Sequence, residues 1–397
     1  MPSRQHRNPK LWMAGRAAVL GTQVLVEKIR KPKARTAADI PGTAGEITTD
    51  WLTAVLCRAV PGAAVTGFTT PGGSSGTSER VALRVTYNDA GRAAGLPEHL
   101  FAKLSASLTQ RLLLGSVDVI SGETHFFMTF RPKVDMEAPL GYWGASDDER
   151  TWKSIVIMED IAHSKGATFP EPTLRVTRSQ IEDLVQNMAR YHGALWEDPS
   201  LAVLKTPTDH VDNVGSFISM GERCAVGMER AKSVIAPGVY GQADRLWKGT
   251  VRSLALNTET HPRTLLHGDS HIGQTYITAD GRMGLTDWQA TMQGGWGYDF
   301  AYTVGSALEP EDRREWDREL LELYLERLAE HGGKPPTFDE AWLIYRQQLF
   351  YPYSAWAFTI GRAAYQPKMQ PDHRSLAILK RLSAAIDENK SFDALGI

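Results

Sequence analysis

Apolar positions along the chain follow two periods, and the change between them divides it. Ile47, Trp51, Leu52, Val55, Leu56 and Val60 lie mostly three or four apart, so the spacing predicts a helix within residues 43–60. Thr48, Thr49 and Asp50 supply capping oxygens near its start. After Pro61-Gly62 the period shortens to two. Residues 64–69 read as a strand, Val81, Leu83, Val85 and Tyr87 alternate as a second, and residues 100–104 form a third. A Gly-rich turn, residues 71–76, separates the first two strands, and a turn-rich stretch, 88–97, separates the next two. A helix is expected after Gly115, ending at Phe126–Phe130, and a further strand at 154–158. Beyond Asp160 the helical period dominates, in residues 179–196, 313–331 and 338–362, the last dense in aromatic residues. Strands first and helices later predict an α+β protein. An antiparallel-sheet lobe, 41–160, is joined to a larger, mostly helical lobe, 161–397.

The first 40 residues stand apart. Up to Arg35 there are nine Lys or Arg against a single acid, Glu27. The apolar stretch 11–26 is interrupted by Arg16 and Gln23, whereas a secretory signal needs an unbroken apolar core. A basic arm followed by a helix packed on the domain is the expectation; a transit peptide or membrane-touching helix is the competing reading. Composition narrows the rest. A length of 397 residues suits two lobes. Forty-four Lys and Arg against 46 Asp and Glu exclude a general nucleic-acid-binding coat. Cys57 and Cys224, the only cysteines, exclude a disulfide scaffold and fit a reducing compartment. No run of eighteen apolar residues occurs, so no membrane insertion is expected. A soluble, cytoplasmic protein follows as the expectation.

The segment richest in chemistry is His267-Gly268-Asp269-Ser270-His271-Ile272-Gly273-Gln274. A second turn follows at 278–282, and then Thr286-Asp287-Trp288-Gln289. Asp269 and Asp287 thus end two short apolar runs with a hairpin between them. One carboxylate can act on a substrate proton while the other holds a metal ion; taken alone, both can equally be turn caps. Two upstream features alter the weighing. Lys103 stands in an apolar strand, where an inward-facing ammonium needs an anionic partner, and Glu123 in the following helical segment can supply it. The Gly-rich turn joins two strands, where bare backbone N–H groups can lie over phosphates. Gly-rich hairpin, strand Lys, helix Glu, hinge strand, catalytic Asp, metal Asp: that order is the layout of a phosphoryl-transfer site.

On these residues the sequence resembles the protein-kinase-like superfamily, in particular aminoglycoside and choline phosphotransferases, and within them the ecdysteroid-kinase-like branch. Residues 267–274 resemble that family's HGDxHxxN signature, and 286–289 its metal-binding aspartate motif. Met158-Glu159-Asp160 resembles the hinge, 188–196 the LH-containing helix, and Gly297-Tyr298-Asp299-Phe300-Ala301 the stretch whose aspartate braces the catalytic loop. The resemblance spans roughly residues 60–310 and implies a bilobal kinase-like fold. It further implies ATP and Mg²⁺ as cofactors and a small hydroxylated molecule as acceptor. Asp269 would accept or orient the acceptor proton, and Asp287 would hold the metal. Lys103, positioned by Glu123, would contact the phosphates, with Gly73, Ser74 and Ser75 over them and the hinge backbone from Glu159 to Ile161 on the adenine. Gln274 is the departure, since the family has Asn there as second metal ligand. A longer arm carries the same amide oxygen less rigidly.

Competing motifs fare worse. Gly72–Gly76 also matches the G-x-S-x-G nucleophile elbow, but that elbow passes from strand to helix and here a strand follows. His267 and His271 stand four apart, yet Gly268 and Gly273 argue against a helix that would present both to a metal. His192 reads as a packed core histidine. The aromatic residues near 342–358 read as core, or as the wall of an apolar acceptor pocket. Their density favours a lipophilic alcohol as acceptor over a polycationic aminoglycoside, with a catalytically weak nucleotide-binding protein as the other alternative.

Overall fold

The computed structural model describes the backbone of residues 9–364, 366 and 368–397, and their side chains except at 9, 10 and 214–217. The chain divides into two compact units. One holds the described residues through Lys133 together with Ala138–Ala167; the other holds Val134–Glu137 and Thr168–Ile397.

The first unit is built on five antiparallel strands: β1 (Val65–Ser75), β2 (Glu79–Tyr87), β3 (His99–Leu104), β4 (Gly141–Asp147) and β5 (Lys153–Glu159), in the spatial order β1-β2-β3-β5-β4. Alternation along β2 buries Val81, Leu83, Val85 and Tyr87. They join Leu100, Ala102, Leu104, Ile155 and Ile157 against Trp51, Leu52 and Val55 of the helix Thr49–Leu56. Thr48 caps that helix by accepting from the Trp51 amide. Three expectations change. The Gly-rich segment is not a turn: β1 runs through it to Ser75, Gly73 pairing with Val81 and Ser74 with Arg80, and the reversal falls at residues 76–78. Pro71, which has no N–H to give, sits at the register shift between Thr69 and Gly72. The helix expected after Gly115 begins only at Gly122. Leu108–Ser116 ends before Asp118, whose φ is 53°, and Gly122–His125 continues into a π-helical turn, Phe126–Phe130. Finally, β4 had no expected counterpart, because its Gly141-Tyr142-Trp143-Gly144 run lacks the alternation that marks a half-buried strand.

The second unit is mostly helical. Helix Arg178–Ala194 buries Ile181, Leu184, Val185, Met188 and Tyr191 as the period requires, and Pro310–Glu330 packs against it. The segment 338–362 is two helices, Phe338–Gln348 and Phe350–Gly361. Pro352 explains the break: lacking an N–H, it is tolerated only in a first turn, so the helix has to begin just before it. Four three-residue strands carry the loops of interest. β6 (Thr264–Leu266) pairs with β9 (Met292–Gly294), and β7 (Thr275–Ile277) with β8 (Met283–Leu285). Among the described residues no helix is long and apolar enough to cross a membrane.

Candidate active site

β6 delivers the chain into His267-Gly268-Asp269, and the loop's shape is held by a fully buried carboxylate. Asp299, near the start of the helix Gly297–Ala307, accepts from the backbone N–H of His267 at 2.6 Å and of Gly268 at 3.0 Å. It also accepts from the Tyr191 hydroxyl at 2.9 Å, and His192 lies 3.4 Å away. Burial pushes the Asp299 carboxyl up, but His192, His267 and the Gly268 amide outweigh it and hold the group ionised. Gly268 has φ +84°, and a Cβ there would lie 2.2 Å from the Ala290 carbonyl oxygen, so only glycine fits the turn.

His267 ties this loop to the strand that carries the second aspartate. Its Nδ1 accepts from the Asp269 amide at 3.2 Å, which leaves the proton on Nε2 to donate to the Thr286 carbonyl at 2.9 Å. One donor and one acceptor suit a neutral imidazole, and burial indeed lowers its pKa. Asp287 follows Thr286 in the left-handed region, φ 61°, a conformation that Asp adopts more readily than most side chains. A second link joins the same two segments, since the Thr286 amide donates to the Gln274 carbonyl at 2.8 Å.

Asp269 itself receives donors on both oxygens. Tyr302 donates to Oδ1 at 2.7 Å, Gln274 Nε2 to Oδ2 at 3.1 Å, and His271 Nε2 stands 3.6 Å from Oδ2. His271 accepts the Gly273 amide on Nδ1 at 3.0 Å, so its proton also faces Asp269. Burial pushes the Asp269 carboxyl up; His271, Tyr302 and Gln274 together bring it below the ordinary value. The side chain is still 36 % exposed, so one side is open to a reactant. Sequence reasoning missed Tyr302 and treated His192 as core only. Tyr302 was detectable: it stands three residues after Asp299 on one helix and therefore shares its face.

The strand-rich unit carries the other expected residues. Lys103 Nζ lies 3.0 Å and 3.3 Å from the two carboxylate oxygens of Glu123, both side chains almost fully buried. Gly73, Ser74 and Ser75 lie in the β1–β2 ladder, and Gln110 Nε2 donates to the Ser75 hydroxyl at 3.3 Å. In the expected hinge segment the Glu159 amide donates to the Leu140 carbonyl at 2.8 Å, and its carboxylate accepts from Ser164 at 2.6 Å. Ile161 opens the short helix Ile161–Ser164, capped by Asp160, which Arg84 pairs at 3.1 Å.

An antiparallel sheet ahead of a helical unit that carries this loop is the architecture of a kinase-like phosphotransferase. The model of the phosphotransferase enzyme family (APH) matches residues 114–341, more than half of the chain. The chain belongs to that family and is a small-molecule phosphotransferase. Solved structures similar to it include a macrolide 2′-phosphotransferase from Brachybacterium faecium, at 15% identity, covering 82% of this chain and 98% of that one, TM-score 0.41. An aminoglycoside phosphotransferase from Streptomyces rimosus is 15% identical, covering 77% and 96%, TM-score 0.40. A choline kinase from Streptococcus pneumoniae is 14% identical, covering 80% and 93%, TM-score 0.39. Among curated proteins, none matches the chain by sequence.

Proposed function

We propose that the protein transfers the γ-phosphoryl group of ATP, with Mg²⁺, to a hydroxyl of a small lipophilic alcohol in the cytoplasm. The observation that carries this reading is the Asp269 carboxylate: braced through its loop by buried Asp299, supplied with donors on both oxygens, and open on one side. A carboxylate so supplied is a weak base and a good acceptor for one more hydrogen bond. That suits phosphoryl transfer, where the loose transition state asks for alignment of the acceptor hydroxyl more than for early proton removal. Asp269 thus orients the hydroxyl and takes its proton late.

The donor set fits Mg²⁺, which keeps waters, takes phosphate oxygens and needs only one or two protein carboxylates. Asp287 is the carboxylate we assign to it, with Gln274 as the amide candidate; the ion would neutralise charge on the phosphates. Lys103, held by Glu123, is assigned to the phosphates. Gly73, Ser74 and Ser75 are assigned to cover them, and the backbone from Glu159 to Ile161 to hold the adenine. The lipophilic acceptor is supported by the aromatic residues around Asp269: Tyr302 on its oxygen, and Trp356 edge-on to His271 with ring centroids 4.9 Å apart. An aminoglycoside acceptor would call for carboxylates instead.

A second reading, a catalytically weak nucleotide-binding protein, is favoured by one contact. The amide nitrogen of Gln274 is turned onto Asp269. The test is incubation of the protein with a metabolite pool and γ-labelled ATP, followed by mass-spectrometric identification of any product. A phosphorylated alcohol supports the first reading, and a phosphorylated aminoglycoside moves the acceptor class. No product, together with a thermal shift by Mg–ATP, leaves the second reading standing.

A further inference from the structure

The helix Pro9–Arg30 is 22 residues long, about 33 Å at the usual rise, and its two faces are unlike each other. The inward face is anchored. Leu20 is fully buried and packs with Leu114, Val119, Ile120 and Trp152, while Trp12 and Met13 lie against the same cluster. Arg16 donates to the Glu149 carbonyl at 2.5 Å and lies over the Trp152 ring. Glu27, the only acid of this segment, is turned inward and held by Arg111 at 2.6 Å and Lys153 at 3.0 Å.

The outward face carries no charge from Leu11 to Val26. Leu11, Ala18, Leu25 and Ile29 recur at seven and four residues, with Val19 and Val26 one position on, so they form a single stripe along the helix. Leu25 is 58 % exposed and Ile29 72 %. Of the twelve large apolar side chains exposed among the described residues, five lie on this helix, a concentration that isolated surface leucines do not explain. The stripe ends in cations: Lys28, Arg30 and Lys31 are all exposed at the C-terminal end, and in the sequence Arg4, Arg7 and Lys10 lie at or before the start.

We infer that this helix lies on an anionic membrane surface, its apolar stripe in the headgroup boundary and its basic ends against lipid phosphates and carboxylates. The charges select this occupant. A second copy of the helix, laid parallel or antiparallel, would set basic ends against basic ends. A nucleic acid would meet the cations but leave the apolar stripe in water. An anionic bilayer satisfies both features at once. With Glu27 sequestered by Arg111 and Lys153, no carboxylate of this segment opposes the approach. The helix lies on the bilayer and does not span it: it is long enough, but not apolar enough, to cross a membrane.

The test uses the full chain with vesicles of phosphatidylcholine, with and without phosphatidylserine, read by co-sedimentation. Binding to the phosphatidylserine vesicles should exceed binding to phosphatidylcholine alone by about tenfold or more, and should weaken with salt. The double variant L25E/I29E, placed on exposed positions, should melt as the parent does and lose at least about tenfold of that binding. A charge variant, K28E/R30E, should lose the preference for phosphatidylserine. No binding of the parent to anionic vesicles overturns the inference, as does equal binding by both variants. A dimer in sedimentation velocity that L25E/I29E dissociates would also overturn it and give the face to a second copy.

Discussion

At the scale of single residues, the proposed chemistry centres on how many donors Asp269 can share. Replacing it by Asn keeps the shape and removes the acceptor for the substrate proton, so turnover of Asp269→Asn should fall by about 10²–10⁴-fold with the fold intact. Near-parental turnover would remove Asp269 from the reaction. Tyr302→Phe takes away the 2.7 Å donor alone. A carboxylate that loses a donor becomes more basic, so the acid limb of the pH–kcat/KM profile should move to higher pH while the plateau drops by about tenfold or less. An unmoved acid limb would show that Tyr302 does not tune Asp269. Gln274 and Asp287 separate in the same way. Because the Gln274 amide nitrogen already serves Asp269, Gln274→Ala should lose about tenfold in rate with an unchanged Mg²⁺ requirement. Asp287→Ala should abolish activity together with the Mg²⁺ dependence of ATP binding. Equal collapse of both variants, measured over a Mg²⁺ series, would make Gln274 an indispensable ligand.

At the scale of elements, two helices of the second unit meet backbone to backbone. A Cβ added at Gly227, in the helix Met220–Arg230, would lie 1.8 Å from the Ala357 carbonyl oxygen, and one at Gly361 would lie 2.0 Å from that of Arg223. Ala normally improves a helix interior by about 1 kcal/mol over Gly. Here the added methyl has no flexible neighbour to displace, so the helices must separate, and Gly227→Ala should destabilise by about 1–3 kcal/mol or more. Gly15, also helical but with nothing near its Cβ, is the matched control, and Gly15→Ala should be neutral or stabilising. Denaturant unfolding of the two variants decides it: a Gly227→Ala protein as stable as its parent would mean that the helices do not meet this closely. The hairpin of β7 and β8 shows the opposite case, an element whose ends could be read in advance. Gly281, at φ +87°, closes it just where the turn residues 278–282 stand.

At the scale of the whole molecule, several histidines are buried uncharged, and stability should depend on pH accordingly. His210 is the clearest: burial, reinforced by Lys205, holds its pKa well below the ordinary value, and its Nδ1 has no hydrogen-bond partner. The unfolded chain takes up a proton there below about pH 6.5 while the folded chain does not. Stability contributed by the neutral ring is therefore complete above about pH 6.5 and is lost as the pH falls, by at most about 1.4 kcal/mol per pH unit for this one group. His210→Phe cannot titrate and should flatten that slope in unfolding free energies measured from pH 7.5 to 5 (roughly the window of the unperturbed imidazole); an unchanged slope would clear His210 of the effect. Such burial also marks how far sequence reading could go. The order of strands and helices, the pairing of Lys103 with Glu123 and the hairpin between Asp269 and Asp287 were legible, because each rests on local periodicity, turn chemistry or the need of a charge in an apolar strand for a partner. The continuation of β1 through its glycines, the break at Pro352 and the π-helical turn after Glu123 were not, since glycines suit a turn and a strand alike and a periodic pattern runs through a helix break without a mark. Local sequence thus determined which residues we assign to phosphoryl transfer. Only the tertiary structure decided that Tyr302, Gln274 and His271 converge on one carboxylate, because hydrogen bonds between residues up to 33 positions apart are selected by packing and leave no periodic signal along the chain.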